Sequence, residues 1–220
     1  MTVELDHILI FCARGAPEAA ALIKHGLLEG SGRSHRGQGT ANRCFSFANA
    51  YLELLWVENA TEAQNEQTLP TQLWDRWRHR SDGGCPFGFA FRPGSDPTSV
   101  PPFPTWSYRP SYLPPDLSIE IGRDLQATEP LLFHLPFARN RRPPPSEPTN
   151  HPAQISELTA LRLSLPTNTP PSPGMRSLVP AGLIHTVRPC EYLLEIQFAG
   201  NRTEDLDLRP VLPVVFTRAL

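Results

Sequence analysis

A histidine and a glutamate stand inside two apolar segments of this chain: His7 in "VELDHILIFC", residues 3–12, and Glu53 in "ANAYLELLWVEN", residues 48–59. Both segments have the aliphatic and aromatic content of β-strands, and asparagines bound the second. A carboxylate in the middle of a buried strand is costly unless a cation or a donor meets it. An imidazole and a carboxylate converging on one cavity suit a divalent metal (zinc, iron, manganese or nickel) and leave positions open for water or substrate. The competing reading is structural: His7 as a satisfied core histidine, and Glu53 paired with Arg43 across a hairpin.

Between these two segments lies "SHRGQGTANR", residues 34–43. Gly37 and Gly39 permit positive φ or a close backbone approach. His35, Gln38, Thr40 and Asn42 then place polar side chains at a rim, where they could orient a carbonyl or carboxylate, or shuttle a proton. A plain glycine-rich turn with capping side chains is the alternative. It is no phosphate loop, because the lysine and the strand-to-helix context are missing.

Other candidates have weaker signals. Glu195, in "EYLLEIQF", is a second carboxylate in an apolar strand, with Arg162 or Arg188 as partner. His151 before Pro152 reads as a strand-entry residue with a minor ligand option, and His25, His79 and His185 lack an arguable carboxylate partner. The "RNRR" run at 139–142 is a solvated loop or an anion contact. Trp74 and Trp77 pack on a core, or line a cleft between modules.

The elements that must position these residues follow from periodicity. In the first strand His7, Leu9 and Phe11 share one face, and Ile8 and Ile10 the other. Pro17 fits the first turn of a helix over "PEAAALIKHGLL", which Gly30 and Gly32 end. A short strand, a glycine-rich bend, and strands at 42–47 and 50–57 follow, with a tight turn at Ala48 and Asn49. Residues 1–59 thus read β-α-β-β-β. Residues 60–84 are a linking helix, with Leu73, Trp74 and Trp77 on one face. Residues 85–138 form a proline-rich β unit with strands near 86–92, 105–113, 117–122 and 130–137. Residues 139–152 are a linker. Residues 153–220 complete the domain with one strand over "ISELTALRLSLP" and a hairpin pair at 182–188 and 191–198. "LDHILIF" resembles "LTALRLS", and "ANAYLELLWV" resembles "RPCEYLLEIQF", which suggests a repeated plan.

Composition narrows the class. The 220 residues allow one sizeable domain, and 40% hydrophobic content supports a core. A net charge of −2 argues against nucleic acid as partner. The 26 prolines, concentrated between 93 and 180, favour short strands and stiff loops. The four cysteines are widely spaced and read as reduced thiols, Cys12 and Cys44 as small core residues. No apolar run reaches the ~18 residues of a membrane span, and no leader pattern opens the sequence. The expectation is a cytoplasmic protein with no membrane partner.

"LDHILIF", the helix after it, and above all "HRGQGTANRCFSFANAYLELLWVEN" resemble the glyoxalase-like branch of the vicinal oxygen chelate superfamily. "EPLLFHLPF" and "NHPAQISELTALRL" are similar to the second-half pattern of that branch. The resemblance implies an α+β fold of βαβββ modules whose curled mixed sheets form a cleft. It implies a divalent metal in that cleft, with His7 and Glu53 at ligand positions. The second half is expected to add His134, where relatives often carry an acidic residue. The corresponding position near Phe87 cannot be a ligand, so at most three protein ligands are expected. The implied function is metal-dependent lyase, isomerase or dioxygenase chemistry on a small molecule with vicinal oxygens, with His35, Gln38 and Asn42 as rim groups and a homodimer as assembly. The alternative on the same scaffold is a metal-free small-molecule binding protein using the aromatic strands around Phe45, Phe47, Trp56 and Phe89. A third reading is an inactive assembly partner.

Overall fold

The computed structural model describes residues 3–96, 98–139, 143–166, 170–180, 182, 184–187 and 191–218. The first half of the chain runs β1 (Val3–Phe11), α1 (Ala19–Lys24), β2 (Ser34–His35), β3 (Thr40–Ser46) and β4 (Tyr51–Val57). This is the β-α-β-β-β order that the periodicity predicts. Gly26, at φ +86°, follows the last turn of α1, so it and not Gly30 or Gly32 terminates the helix. Phe47 N–H donates to the Ala50 carbonyl across Ala48 and Asn49, closing the expected turn.

Residues 60–84 hold two short helices, α2 (Ala60–Ala63) and α3 (Leu73–Arg78), rather than one. The Asn59 side chain caps the first of them through the Thr61 and Glu62 amides. Next come β5 (Phe87–Pro93), β6 (Thr105–Tyr108), β7 (Ile119–Gly122) and β8 (Leu131–His134). The last three have only four residues each, as proline crowding requires.

These eight strands form one sheet in the order β2-β3-β4-β1-β5-β8-β7-β6. Strand β1 runs parallel to β4 and antiparallel to β5, and β5 runs parallel to β8. The sheet is therefore two units of one plan, joined back to back along β1 and β5. In the second unit the proline-rich segment after β5 stands where the first carries α1. The mixed, curled sheet with few helices is the α+β fold class expected from the sequence.

A second sheet is built from β9 (Ile155–Ser164), β10 (His185–Val187), β11 (Leu193–Gly200), β12 (Leu206–Asp207) and β13 (Val214–Arg218), in the order β10-β9-β11-β13-β12. The helix α4 (Pro173–Leu178) separates its first two strands in sequence. The expected hairpin of 182–188 with 191–198 does not form: β10 pairs parallel with β9, and β11 pairs antiparallel with the other edge of β9. The similarity of "LDHILIF" to "LTALRLS" matches two strands at equivalent central places. That of "ANAYLELLWV" to "RPCEYLLEIQF" does not, since β4 lies parallel to β1 while β11 lies antiparallel to β9.

The hairpin tip between β3 and β4 docks the two sheets. The Asn49 side-chain amide donates to the Leu158 carbonyl and its oxygen accepts from the Leu158 amide, at 2.8 and 3.0 Å. His151 adds a second tie: Nδ1 accepts from the Leu28 amide, and Nε2 donates to the Ser46 carbonyl. Its ring is thus committed to the scaffold. Cys12, Cys44 and Cys85 are buried free thiols, and Cys190 lies outside the described residues. No helix among the described residues is long and apolar enough to cross a membrane.

Gly39 shows how tightly the glycine-rich bend is set. Its φ is +75°, and a Cβ there would lie 2.3 Å from the Asn59 carbonyl oxygen and 2.6 Å from the Ala63 nitrogen. Gly15 has a similar φ of +80° with open space around it. Gly15→Ala is expected to lose the left-handed penalty alone, about 1–2 kcal/mol. Gly39→Ala adds a backbone collision and should lose at least ~1 kcal/mol more. Urea unfolding of the two variants side by side measures the difference, and equal losses would contradict this account of the bend.

Candidate functional site

A cavity of about 430 Å³ opens on the concave side of the large sheet. Strand alternation sends His7 and Leu9 of β1, Tyr51, Glu53 and Leu55 of β4, and Asn42, Cys44 and Ser46 of β3 to this side. One residue breaks the alternation. The β1–β5 register slips between Leu5 and His7, so Asp6 is a bulged residue and lines the cavity beside its neighbour.

The bulge assembles a chain of charge along the cavity floor. Arg92 Nη1 donates to Asp6 Oδ2 at 3.2 Å, and Asp6 Oδ1 lies 2.8 Å from His7 Nδ1. His7 Nε2 is 3.4 Å from Glu53 Oε2, and Asn42 Nδ2 donates to Glu53 Oε1. All five side chains are buried. A neutral imidazole donates from one nitrogen only, so a ring flanked by two carboxylates is best served as imidazolium. Burial opposes charging His7, but hydrogen bonds to Asp6 and Glu53 outweigh it and raise its pKa to about 9. Burial alone would raise Glu53; the hydrogen bond and charge of His7 instead bring it down to about 2. Asp6 is likewise lowered, against its burial, by His7 and Arg92. Glu53 therefore does not pair with Arg43, which turns away to Glu29.

The glycine-rich bend supplies a second group on the wall. His35 Nδ1 meets Thr40 Oγ1 at 2.9 Å, and Gln38 Nε2 donates to the same hydroxyl at 2.7 Å. Tyr112, from the loop before β7, donates its hydroxyl to Gln38 Oε1 and sets its ring 4.9 Å from that of His35. Burial lowers the pKa of His35, leaving it neutral at pH 7. Its Nε2 has no hydrogen-bond partner among the described residues.

The structure thus brings His7, Glu53, His35, Gln38 and Asn42 to one cavity. It does not bring His134. Leu131, Phe133 and Leu135 line the cavity, and alternation on β8 turns His134 to the reverse face. There it is buried beside Glu120, with Nε2 unpartnered. Of the expected set of two histidines and one glutamate, His7 and Glu53 share the cavity and His134 does not. Among the described residues no group of three His, Cys, Asp or Glu side chains is arranged to hold a metal.

The remaining candidates fall outside the site. Glu195 sits 3.8 Å from Arg162, and Arg188 lies outside the described residues, as do positions 140–142 of the "RNRR" run. The linking helix reaches the cavity through Leu73, while Trp77 donates its indole N–H to the Cys12 carbonyl. Phe45, Phe47 and Phe89 are core residues; the aromatic wall is Tyr51, Tyr108, Tyr112 and Phe133. Sequence reasoning missed Asp6, Arg92 and Tyr112. Adjacency to His7 was the one available signal for Asp6, and the period-2 rule pointed it the other way.

Residues 5–100 match the family model described as a glyoxalase-like domain. Over these residues the chain is similar to a glyoxalase-like domain, which is consistent with the vicinal oxygen chelate superfamily. This glyoxalase-like match covers β1 to β5 and hence His7, the bend and Glu53. Over its whole length the chain is similar to a crystal structure of a hypothetical protein from Staphylococcus aureus, with 11% identity and a TM-score of 0.54. That likeness covers 99% of this chain and 100% of the other and shows a shared fold. No curated protein matches the chain.

The floor makes stability depend on pH. The raised His7 contributes stability that is complete below about pH 6.5 and is lost as pH rises through about 9. The lowered Glu53 contributes stability present above pH 4.5 and lost as pH falls through about 2. The advantage of wild type over His7→Gln in urea midpoint should therefore shrink between pH 6.5 and 9. An advantage that stays constant over that window would rule out a protonated His7 in the fold.

Proposed function

We propose that the glyoxalase-like cavity binds a small molecule with adjacent oxygen atoms, and that His35 transfers a proton to or from it in an isomerase- or lyase-type reaction. The observation that supports this reading is the state of the titratable groups on one wall. Glu53 is too weak a base at pH 7 with a pKa of about 2. Both ring nitrogens of His7 face carboxylates. His35 is neutral, holds one nitrogen on Thr40 and leaves the other without a protein partner. A general acid or base must exchange a proton within reach of the reacting atom, and His35 offers a neutral ring with an open nitrogen on the wall. The Thr40 hydroxyl can donate or accept, so it serves either tautomer of the ring. In this reading Gln38 and Asn42 are positioning residues, holding Thr40 and Glu53 respectively.

Divalent metals are common in the superfamily, and part of the donor set here would suit one. His7 and Glu53 would be the ligands, and Asp6 on the second ring nitrogen is the partner that a metal-bound histidine usually has. The rest does not fit. Ala90 lies opposite His7 on β5, and the far wall offers Phe133 and Ile121, none with a donor atom. Two side chains make an incomplete site. The proposed chemistry therefore runs on His35 and is not routed through a metal.

The test is hydrogen exchange on carbon. The protein is incubated in D₂O with small 2-hydroxy ketones, hydroxyacetone among them, and loss of the α-proton is followed by NMR. Wild type should exchange above buffer, and His35→Gln should slow this by about 10²-fold or more. Parallel metal analysis after supplementation with manganese and zinc should find well below one ion per chain. Absence of exchange across the ketones, or activity that survives His35→Gln, overturns the proton-transfer assignment. One ion per chain, lost in Glu53→Gln, restores the metal reading.

A further inference from the structure

Behind the wall of the cavity, two side chains of the glycine-rich bend share one hydroxyl. Thr40 Oγ1 lies 2.9 Å from His35 Nδ1 and 2.7 Å from Gln38 Nε2. His35 and Gln38 line the cavity, whereas Thr40 sits behind them and is only 1% exposed. Its hydroxyl must therefore find its partners within the protein. The Tyr112 hydroxyl donates to Gln38 Oε1 at 3.3 Å, which leaves the amide nitrogen as the end that faces Thr40.

Taken alone, a threonine hydroxyl fits either tautomer of a neutral imidazole. Its neighbours remove that choice. Gln38 Nε2 can only donate, so it occupies a lone pair of Oγ1 and offers nothing to the hydroxyl proton. Among the described residues, the one acceptor in hydrogen-bond reach of Thr40 Oγ1 is His35 Nδ1. A ring protonated at Nδ1, whether neutral or cationic, would donate to the same oxygen and strand the hydroxyl proton in the interior. A buried donor without a partner is costly. With Nδ1 bare, Thr40, Gln38 and the inner ring nitrogen are all satisfied. The single proton of the ring then sits on Nε2, the nitrogen left open on the cavity wall. Tyr112, its ring 4.9 Å away, packs against the imidazole and holds its orientation.

We infer that the Thr40 hydroxyl donates to His35 Nδ1, which fixes the ring as the Nε2–H tautomer and makes His35 a hydrogen-bond donor to an acceptor oxygen, of carbonyl type, on the ligand. This rests on the reading of the cavity as the substrate site and narrows it. Of the two directions of proton transfer, a ring that already carries its proton on Nε2 serves only the one toward the ligand. A donor aimed at a carbonyl oxygen also strengthens its hold as negative charge develops there. Thr40 and Gln38 act through the ring and are positioning residues.

Long-range proton–nitrogen NMR of the histidine-labelled full chain reads which ring nitrogen carries the proton. It is run at about pH 8, above the ordinary histidine range, with His35→Gln to assign the signal. Wild type should show His35 protonated at Nε2 and bare at Nδ1. Gln38→Glu, whose ionised side chain only accepts, should draw the Thr40 proton to itself and switch the ring to Nδ1–H. If Gln38→Glu does not fold, the wild-type spectrum decides alone. Hydroxyacetone should move the Nε2 signal and leave Nδ1 bare. A wild-type ring protonated at Nδ1 overturns the inference, means that the Gln38 amide is reversed, and leaves the cavity reading in place with His35 as a base. A tautomer unchanged in folded Gln38→Glu removes Gln38 and Thr40 from the role given to them. An Nε2 signal that stays still while hydroxyacetone exchanges its α-proton overturns the contact with the ligand oxygen. An Nε2–H ring in a protein that exchanges no ketone proton upholds the tautomer and removes the proposed reaction.

Discussion

Burying charge is expensive, and the large sheet of this protein is organised around one solution to that cost. Four ionised side chains alternate in sign along the cavity floor, from Arg92 through Asp6 and His7 to Glu53. Removing one partner from such a chain strands another in low dielectric, which is why buried ion pairs are costly to break although they add little net stability when intact. Several local features follow from this requirement. The bulge at Asp6 departs from a regular β1 so that two adjacent residues face inward. Asn42 is placed one strand away to satisfy the far oxygen of Glu53, and Arg92 closes the chain at its other end.

The two units of the large sheet divide the work unequally. The first carries the polar floor and the bend with His35. The second presents Phe133, Leu131 and Ile121 at the facing positions, and turns its one histidine, His134, to the reverse side. Here the first unit supplies the polar residues of the cavity and the second supplies an apolar wall. The second sheet takes no part in the floor, but it holds the β3–β4 hairpin through Asn49 and His151 and so keeps the strands of Asn42 and Glu53 in place.

The first 59 residues were legible because their information is local. Period-2 alternation placed His7 and Glu53 on inward faces, glycines marked the bend, and Ala48–Asn49 marked the turn. Beyond β5 the signals weaken for a physical reason. Prolines shorten the strands to four residues, too few for a phase of alternation to be read, so the expectation for His134 rested on the resemblance alone. The third unit misled in a different way. Two short strands adjacent in sequence look like a hairpin, whereas long-range pairing with β9 placed them on opposite edges.

By itself the sequence determined the α+β class, the order of the first module, and the three residues His7, His35 and Glu53 that share its concave face. Those follow from patterns a few residues long. Tertiary structure alone decided that Asp6 turns inward, that Arg92 completes the charge chain from a strand more than eighty positions away, and that Tyr112 reaches Gln38. It also decided that the facing wall is apolar. Each of these depends on register or on contacts between distant segments, and neither is encoded in the spacing of neighbouring residues.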